Sequence, residues 1–136
     1  MAFAVDRNII GREFDRSTHP PVTTAEIRDY AAAYGESVGA GDDVEAPPTF
    51  PVSLRSRHFM PPELHHVGRA GFDAGKDMEL GAPVRTGDVL TSVSVVHDIY
   101  EKTGRSGTMN FIVFRTTVTN HRNEMVAIID QKMMFR

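Results

Sequence analysis

Histidines and an acidic residue gather in one short stretch of this sequence, just after a pair of prolines. His65 and His66 are adjacent, Glu63 lies two residues before them, and His58 stands further upstream. Imidazole and carboxylate groups exchange protons near neutral pH, so the stretch is a candidate acid–base cluster with His65 and His66 as its candidate catalytic residues. Ordinary surface or interface histidines are the alternative interpretation. The spacing of these histidines matches no recognised metal pattern, and we predict neither a metal site nor a cofactor.

The rest of the chain offers no convincing cysteine or serine nucleophile. The sequence has no cysteine, which excludes disulfides, thiolate metal sites and cysteine nucleophiles. Ser53 and Ser56 lack the glycines of a nucleophile elbow. His97 and Asp98 are consecutive residues of a predicted strand, so their side chains should point to opposite faces and cannot act as a pair.

Composition and charge narrow the class of protein. The 136 residues are 40% hydrophobic and 24% charged, which is typical of a globular protein, and we expect a single domain over residues 1–136. A net charge of -3 gives no electrostatic argument for nucleic acid or an anionic membrane as partner. No apolar run approaches the ~20 residues of a membrane span. No basic segment followed by an apolar one suggests secretion, so we expect a cytoplasmic protein.

The last third of the chain predicts three consecutive antiparallel strands, over residues 88–101, 108–120 and 125–135. Glycines at 104–107 supply the first reversal between them. The apolar run 111–114 would present hydrophobic side chains to both faces of its strand. Such a strand must be covered on both sides, as a central strand is.

The first half should supply an apolar element to lie across this meander. Thr23 and Glu26 have the spacing of a capping box and predict a helix over residues 24–34. Thr49, followed by Pro51, predicts the start of a second helix that continues to about residue 59 and lies against the sheet. We also expect a short strand over 8–14, a loop over 16–21 and a strand over 72–80.

Four segments in this order resemble the MaoC-like dehydratase/hydratase family, and above all its N-terminal, fatty-acid-synthase-type dehydratase half. They are Val22-Thr23 through Gly35, Ala46-Pro-Pro-Thr-Phe50, Pro83-Val-Arg-Thr-Gly-Asp88 and Gly104-Arg-Ser-Gly107. The resemblance implies an α+β hot-dog fold, in which a curved antiparallel sheet wraps around a central helix. It implies a homodimer, or a heteromer with a second hot-dog subunit, that binds an acyl-CoA or acyl-carrier-protein thioester. The implied reaction is the hydration of a 2-enoyl thioester or the reverse dehydration.

One departure from the family bears on function. Catalytic members carry Asp-x-Asn-Pro-x-His after the first helix, whereas this sequence has no Asn-Pro-x-His, and only Asp42 and Asp43 stand near the expected place. We therefore expect a half that binds acyl thioester or pairs with a catalytic subunit. The alternatives are a self-sufficient enoyl-CoA hydratase that uses His65, His66 or an acidic residue such as Asp43, and a hot-dog thioesterase. The thioesterase is disfavoured because residues 50–60 contain no Asp or Glu.

The resemblance also places candidate substrate-binding residues. Thr49 and Phe50 would begin the central helix, where backbone amides could donate to the thioester oxygen. An ordinary helix start explains the same residues. Gly75 would let the thioester approach the backbone closely, and a β-bulge is the rival explanation.

Overall fold

A computed structural model of the chain describes residues 5–64 and 71–135. Within them the chain forms one α-helix, five β-strands and short 3-10 turns. In chain order they are the turn Arg7–Ile9, β1 (Glu13–Thr18), α1 (Thr24–Ala33), the turn Phe50–Ser53, β2 (Gly71–Leu80), β3 (Thr91–Gly104), β4 (Gly107–Thr119) and β5 (Met125–Phe135).

The five strands form one antiparallel sheet in the order β1-β3-β4-β5-β2. β4 is therefore the middle strand, with β3 and β5 as its hydrogen-bonded neighbours. Ile112 and Val113 are both buried, although consecutive strand residues point to opposite faces. The prediction that residues 111–114 lie in a strand covered on both sides is confirmed.

The predicted meander matches β3, β4 and β5 closely. Its first strand begins three residues later than predicted, because Asp88 ends the preceding turn: its carboxylate accepts a hydrogen bond from the Arg85 amide at 2.9 Å. The β3–β4 reversal uses Gly107 at φ +111°, a conformation that other residues rarely adopt. The predicted strand 72–80 is confirmed as β2.

Helix α1 begins and ends as its sequence predicts. The Thr23 hydroxyl accepts from the Glu26 amide at 3.1 Å, and the Glu26 carboxylate accepts from the Thr23 amide at 3.3 Å, which completes the capping box. Ile27 is fully buried and belongs to the same apolar cluster as Phe50 and Val118. This cluster attaches α1 to the sheet.

The prediction of a second helix over residues 49–59 is wrong. Only the four-residue turn Phe50–Ser53 forms, and Leu54 is already extended at ψ 134°. The Ser53 hydroxyl donates to the Phe50 carbonyl at 2.7 Å and so ends the turn. The polar residues 55–58 offer no apolar stripe that a longer helix could bury. Consequently the sheet has no long helix in this position, and an open space remains.

The N-terminal predictions are also corrected. Residues 8–14 were expected to form a strand and 16–21 a loop, but the strand is β1, Glu13–Thr18, after the turn Arg7–Ile9. β1 is an edge strand that pairs with β3. The sequence of β1 is polar and therefore resembles a loop. Its buried residue, Asp15, is an aspartate that is satisfied by a hydrogen bond from the Ser17 hydroxyl.

The apolar core divides into two clusters along the sheet. One contains Ile27 and Phe50, and the other contains Ile9, Met60 and Ile112. None of the helices in residues 5–64 and 71–135 is long and apolar enough to cross a membrane. The architecture is that of the predicted α+β hot-dog fold, with α1 as the helix that packs on the sheet.

Candidate functional site

A cavity of about 540 Å³ lies between one face of the sheet and the chain segment 51–59. Strands β2 to β5 supply its floor, and β1 contributes Phe14. Its volume is within the range of small-molecule binding pockets, so the cavity is the first candidate for a functional site.

One part of the cavity wall is apolar. The rings of Phe14 and Phe114 meet edge to face, with centroids 5.4 Å apart and an interplanar angle of 70°. The other apolar lining residues are Pro51, Val52, Leu54, Phe59, Val118, Ile129 and Met133. Methionine side chains adapt their shape to flexible hydrocarbon groups, so this wall suits a flexible apolar group.

The floor also carries polar side chains. Ser94 and Thr116 are opposite each other on β3 and β4, and their hydroxyl groups are hydrogen-bonded at 2.7 Å. The hydroxyl of the buried Ser92 bonds the His19 ring at 2.9 Å. The Gln131 side chain donates to the Asp73 carboxylate at 2.8 Å. The cavity therefore offers hydrogen-bonding groups as well as apolar contact.

A histidine that lines this cavity contacts a buried aspartate. The Asp15 carboxylate accepts from the His58 backbone amide at 3.1 Å and lies 3.2 Å from the His58 ring nitrogen Nδ1. The Asp15 side chain is 2% exposed, whereas the His58 side chain is 62% exposed. His58 lines the cavity. A buried carboxylate thus orients an accessible imidazole.

Hydrogen bonds keep Asp15 ionised despite its burial. Burial alone would raise the pKa of this carboxyl group, because it disfavours the charged form. Hydrogen bonds from the Ser17 hydroxyl, the His58 amide and the His58 ring outweigh burial and hold the pKa of Asp15 below its ordinary value. An ionised Asp15 can only accept hydrogen bonds, so the His58 ring must donate from Nδ1.

The predicted catalytic histidines His65 and His66 lie outside the described residues, so their role stays a prediction. Glu63, which was grouped with them, forms an ion pair with Arg12 at 2.5 Å. His58, the third histidine of the group, contacts Asp15 instead.

Asp43 is placed away from the cavity. Its side chain is 73% exposed and forms an ion pair with Arg85 at 3.2 Å. Glu45 contacts the same guanidinium at 3.7 Å, beside the isolated bridge that pairs Glu45 with Arg85. Asp43 is not among the residues that line the cavity, and its catalytic role remains a prediction without a contact to a described histidine.

Thr49 and Phe50 stand beside the cavity rather than at the start of a long helix. The Thr49 hydroxyl is hydrogen-bonded to the Tyr30 hydroxyl at 2.7 Å, and the Phe50 amide donates to the Pro47 carbonyl at 3.0 Å. A four-residue turn has too few aligned peptides to produce a significant dipole. Their proposed role as thioester donors therefore lacks the helix on which it was based.

Gly75 lies in a β-bulge, as the rival explanation held. The β2–β5 register shifts between Asp73 and Gly75, and Gly75 has φ +124°. The Asp73 carboxylate accepts from the Gly75 amide at 2.9 Å. Because Asp73 and Lys76 both line the cavity, Gly75 shapes its rim, and a direct contact with substrate stays a prediction.

The sequence did not reveal the Asp15–His58 pair. The two residues are 43 positions apart, and Asp15 falls between the predicted strand 8–14 and the predicted loop 16–21. Asp15 itself was a weak signal, because an aspartate that becomes buried in a strand must find a hydrogen-bonding partner. Elsewhere in the described parts of the chain, no three His, Asp or Glu residues are grouped closely enough to hold a metal ion.

The fold is that of a hot-dog protein, with a cavity over its sheet. The family described as FAS1-like, dehydratase domain region, matches residues 8–129, so this chain belongs to that family. It is a member of the MaoC-like hot-dog dehydratases, as the sequence predicted. No curated protein matches the sequence.

Solved structures of related proteins share the fold. The MaoC-like dehydratase from Rhodospirillum rubrum is 20% identical, with a TM-score of 0.62 over 93% of this chain and 91% of that one. The HadBC (3R)-hydroxyacyl-ACP dehydratase complex from Mycobacterium tuberculosis is 21% identical, with a TM-score of 0.63 over 90% and 96%. The ChsH1–ChsH2 complex from the same organism is 14% identical, with a TM-score of 0.69 over 91% and 84%. These likenesses confirm the hot-dog fold.

Proposed function

We propose that this chain binds an acyl thioester, carried by coenzyme A or acyl carrier protein, with the acyl group in the cavity over the sheet. The function is of the hydratase/dehydratase type, as for its family. The observation that carries the proposal is the cavity itself, which has an apolar wall for a hydrocarbon chain and hydroxyl groups on its floor. A cytoplasmic location is part of the proposal.

We further propose that the chain pairs with a second hot-dog subunit. The HadBC and ChsH1–ChsH2 structures are complexes of two different chains. Among the strands of the described residues, β2 lies at the edge of the sheet with Phe72 and Leu80 exposed, and an edge is where another sheet can pair. A partner that carries Asp-x-Asn-Pro-x-His would supply the residues that this sequence lacks.

A self-sufficient enoyl-CoA hydratase is the second candidate. The observation that favours it is the Asp15–His58 pair, which places at the cavity an oriented imidazole that can both accept and donate a proton, without the family motif. The thioesterase alternative has no comparable support, because residues 50–60 contain no acidic residue.

Binding to the purified chain tests the proposal. Titration calorimetry with saturated acyl-CoAs of increasing length should show binding that strengthens with chain length, because each added methylene buries apolar surface. Leu54→Trp, which fills the cavity wall, should weaken binding at least about tenfold. Tyr34→Trp is the matched control, since Tyr34 is exposed at the end of α1 and should leave affinity unchanged. Affinity that ignores chain length, or equals that of coenzyme A alone, would refute the acyl-binding role.

A further inference from the structure

The Asp15–His58 pair has chemical features that the binding role does not require. Asp15 is buried on β1, and its carboxylate is held by the Ser17 hydroxyl at 2.8 Å as well as by His58. The His58 amide and ring both bond the same oxygen, so the backbone and the side chain of this loop residue are fixed together. A surface histidine that served only solubility would not need a buried, oriented carboxylate behind it.

We propose that His58 transfers protons in the hydration of a 2-enoyl thioester bound in the cavity, with Asp15 as the residue that positions it. This proposal rests on the proposed function, because it requires an acyl thioester in the cavity. The pair would act at the site of this chain itself and differs from the Asp-x-Asn-Pro-x-His motif of the family. In an assembled heteromer each subunit would then carry an acid–base pair.

The tautomer follows from the contacts. Asp15 accepts from Nδ1, so the neutral ring carries its proton there and the lone pair lies on Nε2, on the opposite side of the ring. The His58 side chain is exposed and the residue lines the cavity, so Nε2 is the ring nitrogen that remains available for proton transfer. This is the arrangement of a general base whose orientation a carboxylate fixes.

The proposed reaction balances without an oxidant or other co-reactant. Nε2 accepts a proton from water as the water oxygen bonds to C3 of the enoyl group, and the double-bond electrons move to the thioester oxygen to give an enolate. The imidazolium then returns the proton to C2, and the carbonyl re-forms. The product is the 3-hydroxyacyl thioester, His58 is neutral again, and Asp15 remains ionised throughout and stabilises the imidazolium.

Three other charged side chains line the cavity together with His58. The charged groups that line the cavity with it are Arg55 on its own segment and Asp73 and Lys76 on β2, with Asp15 behind the ring. Single substitutions at Asp15 or His58 leave the other three unchanged. A change in kcat can therefore be assigned to the pair.

The hydration of crotonyl-CoA by the purified chain, followed by the loss of enoyl absorbance, tests the proposal. His58→Gln should lower kcat at least about 100-fold, in the range expected for a proton-transfer residue, without changing the affinity for butyryl-CoA. His97→Gln is the matched control, because His97 is exposed and does not line the cavity. Asp15→Asn should lower kcat about tenfold or more without changing the affinity for butyryl-CoA, because the His58 ring loses the carboxylate that fixes its orientation and stabilises the imidazolium.

Nitrogen NMR of the His58 ring keeps the proposal testable if Asp15→Asn unfolds. The neutral ring of the wild-type chain should carry its proton on Nδ1, and a dominant Nε2–H form would overturn the assignment. A wild-type chain that binds butyryl-CoA but does not hydrate crotonyl-CoA, or a His58→Gln variant with normal kcat, would overturn the proposal while the binding role stands. Release of free thiol without hydration would also overturn it. Failure to bind either acyl-CoA would instead refute the proposed function.

Discussion

The guanidinium of Arg115 on β4 forms two hydrogen bonds to the carboxylate of Asp130 on β5, at 2.8 and 2.9 Å. The two residues are directly opposite each other in the antiparallel register. Their side chains are 34% and 19% exposed, so solvent screens the pair only in part. A shift of one strand by one residue would separate them, and the pair therefore helps to fix the register of the central strands.

Removal of this ion pair should destabilise the fold moderately. We expect Arg115→Ala and Asp130→Ala to lower the free energy of unfolding by about 1 kcal/mol each, because partly exposed bidentate pairs contribute at the upper end of the surface range. Urea unfolding of the single and double variants measures the coupling. If the double variant lost the sum of the two single-variant changes in unfolding free energy, the two side chains would act independently.

The same aspartate predicts how stability depends on pH. The hydrogen bonds from Arg115 hold the pKa of Asp130 below its ordinary value, although burial opposes them. The folded chain therefore binds a proton at Asp130 less readily than the unfolded chain. The stabilisation is fully present above the ordinary pKa of 3.8 and is lost as the pH falls through the lower folded pKa.

Asp130→Asn should flatten this dependence. We expect the wild-type urea midpoint to fall more steeply than that of the variant below about pH 4, because the variant has no proton to bind there. Parallel curves for the two proteins across the acid range would contradict the assignment. Asp29→Asn, at an exposed position on α1, is the control.

The capping box of α1 should contribute measurable stability. Thr23→Ala removes the hydroxyl that accepts from the Glu26 amide and should cost about 1 kcal/mol in thermal or urea unfolding. Thr23→Asp should retain most of that stability, because its carboxylate can accept the same bond. A loss as large for Thr23→Asp as for Thr23→Ala would show that the cap does not act through this bond.

The bulge in β2 should depend on its glycine. Gly75 has φ +124°, so Gly75→Ala strains the backbone although no atom lies within 4 Å of the added methyl group. We expect a loss of roughly 1 kcal/mol or more in the free energy of unfolding. Gly39→Ala is the control, since that position also has space and its φ is not in the left-handed region. Equal stability of the two variants would mean that the bulge adapts to a side chain.

The sequence predicted correctly those elements whose formation depends on interactions between residues close together in the chain. The Thr23–Glu26 box predicted α1, and the apolar run 111–114 predicted the central strand. The second helix failed because Pro51 and Thr49 favour a helix start but the polar residues after Ser53 provide nothing to continue it. Residues that favour the start of a helix are therefore not enough to predict one, unless the residues that follow form an apolar stripe that the helix can bury.

The candidate site was harder to predict because it depends on contacts between distant residues. Asp15 and His58 come together only when β1 pairs with β3 and the segment after Phe50 crosses the sheet. Neither residue lies in a recognisable motif. The family motif, by contrast, is local, so the sequence could show that it is missing but not that another aspartate and histidine meet.

Methyl NMR of the chain with and without hexanoyl-CoA tests the central claim most directly, which is that the acyl group occupies the cavity over the sheet. Met133 and Ile129 line the cavity, whereas Met109 lies near the β3–β4 turn and does not. We predict shifts and acyl-to-methyl contacts at Met133 and Ile129, with the Met109 signal unchanged. Saturating ligand that leaves Met133 and Ile129 unaffected, or that perturbs Met109 instead, would contradict the account.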